Sequence, residues 1–174
     1  RRVVVTGMGI VCPNGNSVTE AWRNIADGIT GIDPIVRLDT SRLENHFGGE
    51  VKNFNPEQLF GKRESRRTDR FTQMALFAAK QAIEDSGLKI TSENEYRVGV
   101  IVGTGIGGIA SIYNSTSTFF TRGSKAVSPL LVPMMLPDAA SAKISMTYGI
   151  RGPNFAITTA CATGNNCIGE AVEM

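Results

Sequence analysis

The chain has 174 residues, 41% hydrophobic and 20% charged, so it can bury a substantial core, and its length suggests one domain. Its formal net charge of +2 favours neither a nucleic acid nor a generally acidic partner. Three cysteines without a CxxC pair and a single histidine, His46, exclude the usual zinc patterns and argue against a disulfide framework. We therefore expect no metal site and a reducing compartment.

The two ends of the chain bear on its location and on whether it continues. The N-terminal segment is similar to the start of a signal peptide, but Gly7 and Gly9 interrupt its apolar run and no small-residue cleavage site follows. No segment approaches the roughly 20 apolar residues needed to span a bilayer, so we expect an intracellular protein without membrane insertion. The last segment, GNNCIGEAVEM, is typical of a helix with no stop signal before Met174, which predicts a chain cut off there.

The first third of the chain predicts a strand, a helix and a long irregular segment, in that order. Residues 2–6 are rich in β-branched side chains and predict a buried strand. Ser17 followed by Glu20 forms a capping-box pattern, so a helix is expected from about 18 to 27. Residues 29–60 are rich in Gly, Asp, Asn and Pro and predict an irregular surface excursion.

Helices and strands alternate in the rest of the chain, which predicts an α/β layered domain. Apolar residues recur at three- and four-residue intervals over 64–86, and Gly87 ends that helix. The later predicted elements are, in chain order, a strand at 97–102, a polar helix ending near 120, a Pro-punctuated apolar stretch at 128–137, a helix at 138–147, a strand at 154–159 and a final helix.

Cys161 is the strongest candidate for a nucleophile. It lies in TTACATG, between a predicted strand and a predicted helix, where the small Ala160 and Ala162 allow a sharp turn that exposes the thiol. A cysteine at a helix N-terminus faces unsatisfied N–H groups and the positive end of the helix dipole, which stabilise a thiolate. The same groups could hold the oxyanion of a thioester under attack. The alternative is a small buried apolar residue, which is our interpretation of Cys12 and Cys167.

The sequence supplies no obvious catalytic partner for this cysteine. A cysteine nucleophile normally needs a base or a stabilising cation nearby. His46 lies in a polar stretch, and nothing in the sequence brings it to Cys161. Either the partners lie beyond Met174, or the chain is not an enzyme.

A glycine run, GTGIGG, occupies residues 103–108 directly after a predicted strand. Gly103, Gly105 and Gly108 satisfy the G-x-G-x-x-G fingerprint of dinucleotide-binding proteins. The fingerprint also requires an acidic residue about 20 positions later, and the segment 109–137 contains neither Asp nor Glu. The fingerprint is therefore incomplete for NAD.

Two interpretations of the glycine run stay open. Arg122 and Lys125 could hold the additional phosphate of NADP, which would make the chain part of an oxidoreductase. Alternatively, the glycines let the backbone pass close to another element. In that case Ile106, the only sizeable side chain of the run, is expected to face a pocket.

Residues 61–70 carry a local excess of positive charge. Four arginines in this segment fall at helical spacing, opposite the apolar stripe. They form either an ordinary solvated face, partly neutralised by Glu64 and Asp69, or a docking patch that steers an acidic partner. The four are Arg63, Arg66, Arg67 and Arg70.

Together these motifs resemble the β-ketoacyl-[acyl-carrier-protein] synthases of thiolase-type fold, most closely their synthase II group. The resemblance runs from RRVVVTGMGIVCPNG through GTGIGG and YGIRGPN to TTACATG and the CIGEA helix, and it covers residues 1–174. TACATG before a helix and YGIRGPN at this spacing are the specific motifs. The resemblance implies a duplicated five-layer αβαβα fold, of which this chain is roughly the first half, the N-terminal part of one synthase domain.

The reaction implied by the resemblance is the elongation step of fatty acid synthesis. Cys161 would accept an acyl group from acyl carrier protein. A malonyl group on a second carrier protein would lose carbon dioxide, and the resulting carbanion would attack the acyl thioester to give a 3-ketoacyl thioester two carbons longer. Two histidines and a lysine that assist lie in the second half of the family's chain, so these 174 residues alone are expected to be inactive. No cofactor is implied.

Further roles are implied position by position. Ile106 matches the far end of the acyl pocket, and residues 131–132 match a segment that reaches the neighbouring subunit's pocket, although an aromatic residue is common at 131. The strand at 154–159 matches one that pairs across the two-fold axis of a homodimer. The implied acyl-pocket residues are Ile106, Leu131, Val132 and Ala160. The implied carrier-protein-binding residues are Arg63, Arg66, Arg67 and Lys125.

The sequence leaves several questions open. The alternatives to the condensing enzyme are an NADP-binding oxidoreductase domain and a non-catalytic carrier-protein-binding module built around the arginines. The expected partners are acyl carrier protein, in acyl and malonyl forms, and a second copy of the chain, but no nucleic acid. Acyl chain length, fatty acid against polyketide elongation, and a bacterial cytoplasm against a plastid stroma are not distinguished.

Overall fold

The computed structural model describes residues 2–174 and has the α/β character predicted from the sequence. Its helices are, in chain order, α1 (Val18–Ala26), α2 (Pro56–Phe60), α3 (Lys62–Ser65), α4 (Arg70–Ser86), α5 (Ile109–Arg122), α6 (Leu131–Met135), α7 (Ala139–Tyr148) and α8 (Thr163–Glu173). Its strands are β1 (Ile32–Pro34), β2 (Phe47–Gly49), β3 (Val100–Gly103) and β4 (Asn154–Ile157).

The described residues form two compact units. One comprises Val5–Asn55 with Phe77–Gly87, and the other comprises residues 2–4, Pro56–Leu76 and Leu88–Met174. Each unit holds one two-stranded sheet, antiparallel β1–β2 in the first and parallel β3–β4 in the second. The candidate nucleophile and the glycine run both belong to the second unit.

Helix α1 begins as the capping pattern predicts. The Ser17 hydroxyl accepts a hydrogen bond from the Glu20 N–H at 3.2 Å, which satisfies one of the unpaired N–H groups of the first turn. The Glu20 carboxylate returns to the N–H of Asn16 at 2.8 Å, one residue earlier than in a standard capping box. The irregular segment that follows contains only the short β1–β2 pair and α2.

The predicted strand at residues 2–6 is wrong, since this segment belongs to no strand. Its β-branched side chains are exposed, with Val5 81% accessible. Just after it, backbone groups pair with side chains of α4 rather than with another strand. The Met8 N–H donates to the Asp85 carboxylate at 2.9 Å, and the Gln81 amide donates to the Ile10 carbonyl at 3.0 Å. Strand propensity alone does not form a strand without a paired neighbour.

The single helix predicted over 64–86 is also wrong at its start, because the chain breaks between α3 and α4. The buried Gln73 amide stabilises the break by donating to the carbonyls of Ser65 at 2.9 Å and Thr68 at 3.0 Å. Those carbonyls are therefore satisfied by a side chain instead of by helix N–H groups. The basic residues consequently do not form one face of one helix: they are divided among α3, the break and the first residue of α4.

Helix α7 packs on the parallel pair β3–β4 and supplies much of the core of its unit. Ala140 and Ser141 are fully buried, and Ile144 is nearly so. The Asn154 side-chain amide at the start of β4 donates to the Ser141 carbonyl at 2.9 Å, which fixes the helix against the strand. Gly149, with φ of +70°, ends the helix in the left-handed conformation that glycine adopts without steric cost.

An ion pair joins α3 to α7. The Lys143 ammonium donates to the Glu64 carboxylate, and both side chains are partly shielded from solvent. The hydrogen bond and charge of Lys143 hold the pKa of Glu64 below its ordinary value, with smaller contributions from Arg67 and Arg63. The pair therefore orients the short helix that carries the basic residues, and it does so only while Glu64 is ionised.

This arrangement predicts a pH-dependent contribution to stability. Because the folded-state pKa of Glu64 is lowered, the contribution is complete above its unfolded pKa of about 4.5 and is lost as the pH falls through the folded value. With allowance for solvent screening, we expect Lys143→Gln to lower the free energy of unfolding by about 0.5 kcal/mol at pH 7 and by less near pH 3. Urea denaturation at both pH values measures this.

The exposed pair Lys80–Glu84 provides the matched control, because it lies within α4 and joins no second element. Lys80→Gln should have the smaller effect at pH 7. A loss for Lys143→Gln that is the same at pH 7 and pH 3 would contradict the ion-pair explanation.

Candidate active site

Cys161 lies at the turn between β4 and α8. Strand β4 ends at Ile157, a 3-10 turn covers Ala160–Ala162, and α8 begins at Thr163. The thiol is exposed and not in a disulfide. The strand–turn–helix arrangement predicted around this cysteine is therefore confirmed by the fold.

The backbone of this turn is strained immediately before the cysteine. Ala160 has φ of +51°, a left-handed conformation that costs an L-residue with a Cβ about 1 kcal/mol or more. The buried hydroxyl of Thr163 holds the turn by accepting the Thr159 N–H at 2.8 Å, and the Ala162 N–H donates to the Thr159 carbonyl at 3.2 Å. The sequence analysis did not identify the role of Thr163, because a threonine two positions after the cysteine does not by itself indicate this hydrogen bond.

The N-terminus of α8 faces this turn without a cap. Its N-cap residue, Ala162, has no side-chain acceptor for the N–H groups of the first turn, although the Thr163 N–H donates to the Ala160 carbonyl. Such N–H groups, together with the helix dipole, attract negative charge. The arrangement suits a thiolate, or the oxyanion formed when a thiolate attacks a thioester.

Gly103, the last residue of β3, allows α8 to lie directly against the sheet. A Cβ at this position would lie 2.1 Å from Cγ2 of Thr163 and 2.7 Å from the sulfur of Cys167. Burial raises the pKa of the Cys167 thiol, so this cysteine stays protonated and acts as a packing residue, as its sequence context predicted. The glycine that resembled part of a phosphate-binding fingerprint is needed here for close packing.

The rest of the glycine run packs against the end of α6. A Cβ on Gly107 would lie 2.5 Å from the Met135 carbonyl oxygen. The Gly108 N–H donates to that carbonyl at 3.0 Å, and the Gly107 N–H donates to the Thr104 hydroxyl at 3.1 Å. Because protein acceptors use the N–H groups of Gly107 and Gly108, these groups are not free to bind a phosphate. The structure therefore gives no support to the NADP interpretation of the glycine run. Ile106 extends outward and is 58% exposed.

The basic residues converge in spite of the helix break. A shallow depression of about 480 Å³ is lined by four of them with Leu130 at its side. The guanidinium groups are exposed, while Glu64 pairs with Lys143 instead of with them. Lys125, also exposed, lies in a separate 3-10 turn after α5. The four lining residues are Lys62, Arg63, Arg66 and Arg67.

The predicted pocket residues are less tightly grouped. Leu131 and Val132 begin α6, with Leu131 half-buried beside α5 and Val132 55% exposed. A cavity of about 530 Å³ beside β3 is lined by Cys167 and not by Cys161. The structure thus positions each predicted residue on a surface of the second unit without enclosing them in one cavity.

His46 lies apart from Cys161, in the first unit. The His46 imidazole is exposed in the first unit and pairs with the Thr40 hydroxyl at 3.1 Å. Across residues 2–174, no group of three or more His, Cys, Asp or Glu side chains is arranged to hold a metal ion. None of the helices in this range has both the length and the apolar character required to cross a bilayer.

Solved ketosynthase structures share this fold. The ishigamide ketosynthase/chain length factor matches 99% of the chain with a TM-score of 0.87 and 28% identity. A type II PKS acyl-carrier protein in complex with its ketosynthase bound to the hexaketide matches 99% with a TM-score of 0.80 and 25% identity. The chain covers 43% and 46% of those structures. Both solved structures are named as ketosynthases, and the chain has their fold.

The sequence comparisons give the family. The chain matches the family described as "Beta-ketoacyl synthase, N-terminal domain" over residues 1–174, and it belongs to that family. It is 46% identical to a protein of Staphylococcus aureus (strain COL) and 41% identical to one of Coxiella burnetii, both named 3-oxoacyl-[acyl-carrier-protein] synthase 2. All of the chain is aligned in each case, and it spans 42% of the length of these relatives.

The close contact at Gly103 predicts a difference between two glycines of the same run. Gly103→Ala should displace α8 and lower the free energy of unfolding by about 2 kcal/mol, because the new Cβ overlaps Thr163 and Cys167. Gly105→Ala is the matched control, since nothing lies within 4 Å of its Cβ position. Thermal unfolding of the two variants measures the difference. Equal stability would contradict the packing role of Gly103.

Proposed function

We propose that the protein containing this chain is an elongating condensing enzyme of fatty acid synthesis, a β-ketoacyl-[acyl-carrier-protein] synthase with Cys161 as its acyl acceptor. The observation that carries the proposal is the exposed Cys161 thiol on a strained turn at the uncapped N-terminus of α8. Membership of the ketoacyl synthase family and the names of the relatives support it.

The first half of the proposed reaction is acyl transfer. The Cys161 sulfur attacks the acyl thioester carbonyl of acyl carrier protein, a new carbon–sulfur bond forms, and the carrier-protein thiol leaves with the proton that Cys161 gave up. The first N–H groups of α8 stabilise the negative charge of the attacking sulfur and of the developing oxyanion.

The second half extends the chain. A malonyl thioester on acyl carrier protein loses its carboxylate as carbon dioxide, and the electron pair left behind forms a carbon–carbon bond to the acyl carbonyl. Cys161 leaves as a thiolate, and the product is a 3-ketoacyl thioester two carbons longer. The electron pair comes from decarboxylation, so the proposed step uses no bound cofactor. We assign the two histidines and the lysine that assist it to the remainder of the full-length protein, because the relatives are more than twice as long as this chain.

The acyl-pocket roles of Ile106, Leu131, Val132 and Ala160 are part of the proposal. Ile106 suits the far end of a pocket because it is an exposed apolar side chain on an otherwise glycine-rich loop. Val132 is likewise exposed at the start of α6, as expected of a residue that completes a neighbouring subunit's pocket. We propose that the full-length protein is a homodimer in the cytoplasm or in a plastid stroma.

The depression lined by Arg63, Arg66 and Arg67 is the proposed docking site for acyl carrier protein, with Lys125 adding charge. Exposed arginines attract a carboxylate-rich partner and pair with it bidentately. The apolar Leu130 at the side of the depression gives such a partner a surface to cover. A solved relative in complex with an acyl-carrier protein supports this choice of partner.

Acylation of Cys161 is tested directly by intact mass. Full-length protein incubated with a medium-chain acyl-[acyl carrier protein] should gain one acyl group, because the exposed thiol is the proposed acceptor. The Cys161→Ala variant should gain none, whereas Cys12→Ala, which removes a cysteine of the first unit, should be acylated like the parent protein. An unmodified parent protein, or acylation that survives Cys161→Ala, would contradict the proposed function.

Carrier binding is tested by charge reversal. Arg66→Glu should weaken the affinity for acyl carrier protein by about tenfold at low ionic strength, because the exposed guanidinium lines the proposed docking site. The difference should shrink as salt screens the charges. Arg42→Glu reverses an exposed arginine in the irregular segment of the first unit and serves as the control. Equal affinities of the two variants would refute docking at this depression.

A further inference from the structure

Asp69 is a buried carboxylate that the proposed reaction does not use. It is only 6% exposed and lies at the break between α3 and α4. Its backbone carbonyl accepts the Gln73 N–H at 3.1 Å, and its Oδ1 accepts the Phe71 N–H at 3.3 Å. Asp69 is therefore the N-cap residue of α4.

The second carboxylate oxygen of Asp69 serves another helix. Oδ2 accepts the Ser111 N–H at 3.0 Å and the Ser111 hydroxyl at 2.6 Å. Ser111 is the third residue of α5, whose own N-cap residue, Gly108, has no side chain with which to satisfy that N–H. Asp69 thus supplies the cap of α5 from 42 positions away in the sequence.

Only a carboxylate fits this double role. Its two oxygens are equivalent acceptors, so each can face the N-terminus of a different helix, where the dipoles favour negative charge. Serine or asparagine at position 69 would still cap α4. Asparagine, however, would turn its amide N–H₂ toward one set of N–H donors and leave a buried donor unpaired.

The contact also fixes the glycine run. A Cβ on Gly108 would lie 3.0 Å from Oδ2 of Asp69 and 2.3 Å from the Met134 carbonyl oxygen, so only glycine allows this approach. Ile106 lies two residues earlier, on a loop whose other end is tied by the Thr104 N–H to the Ile157 carbonyl at 3.2 Å. Loss of the Asp69 contact would leave this end of the loop held by the Gly108 N–H bond to the Met135 carbonyl and would loosen the start of α5 behind it.

Asp69 follows the basic residues along the chain, two positions after Arg67. Arg66 and Ser111 line the same cavity of about 300 Å³. One carboxylate therefore joins the segment proposed to receive acyl carrier protein to the loop proposed to end the acyl pocket.

We propose that Asp69 is a positioning residue that sets the acyl chain-length selectivity of Cys161 by holding the loop that carries Ile106 against the start of α5. This inference rests on the proposed function. A short acyl chain does not reach Ile106, whereas a long chain packs against it. Loss of the Asp69 anchor therefore affects long chains selectively.

The test measures acylation rates of Cys161 in the full-length protein with a butyryl and a decanoyl carrier protein, and takes their ratio. Asp69→Asn should lower the decanoyl-to-butyryl ratio about fivefold, the loss expected for about one buried hydrogen bond. Ser111→Ala, which removes only the hydroxyl donor, should lower it by less. Ile106→Phe, which shortens the proposed pocket, is the reference variant: it shows how far the ratio falls when the end of the pocket is altered directly. Asp39→Asn is the control, since this exposed carboxylate caps only its own turn at Ser41.

The double variant Asp69→Asn/Ser111→Ala separates positioning from general destabilisation. If the two side chains act through one contact, its ratio falls no further than that of Asp69→Asn. A ratio unchanged in Asp69→Asn despite a lower melting temperature, or effects that simply add, would overturn the inference. If Asp69→Asn does not fold, the ratio for Ser111→Ala decides: a decrease supports the inference and no change overturns it. A parent protein that acylates with neither substrate refutes the proposed function and this inference with it.

Discussion

The candidate site depends on how closely α8 lies against β3. At Gly103, the last residue of β3, the helix contacts the strand with no room for a Cβ. The contact fixes Gly103 to Thr163, the first residue of α8, which follows the partner strand β4. Buried Thr163 belongs both to this contact and to the turn that carries Cys161. The position of the thiol is thus set by the packing of α8 on the sheet and not by a flexible surface loop.

That packing also accounts for the strain at Ala160. A residue with a Cβ adopts a left-handed conformation only when its surroundings stabilise it by more than the conformation costs. Here β4 fixes the chain before the turn, α8 fixes it afterwards, and the Thr159–Thr163 hydrogen bond closes the turn between them. Glycine at 160 would relieve the strain, but it would also widen the range of conformations open to Cys161. Alanine keeps the turn both small and defined.

Local patterns predicted what local interactions determine. The capping of α1 by Ser17, the end of α4 at Gly87 and the turn around Cys161 follow from neighbouring residues, and the structure contains them. The strand expected at 2–6 fails because the backbone after it pairs with α4 side chains that lie about 70 positions later. Likewise, the break before α4 depends on the Gln73 amide, and glutamine in an apolar helix pattern gives no sign of such a bond. The role of Asp69 was invisible for the same reason.

The helix N-termini of the second unit differ in whether a side chain accepts from their first N–H groups. Those of α4 and α5 share the buried carboxylate of Asp69, which fixes both and leaves those groups no capacity to bind another anion. The N-cap residue of α8, Ala162, supplies no side-chain acceptor, which is also true of the N-cap residues of α3, α6 and α7, and α8 is the helix that follows the turn carrying the exposed thiol. An unpaired N–H group costs stability unless water or a ligand satisfies it. Asp69 thus fixes two helix starts that carry structure, whereas negative charge developing at Cys161 would meet the first turn of α8, where the N-cap residue places no acceptor.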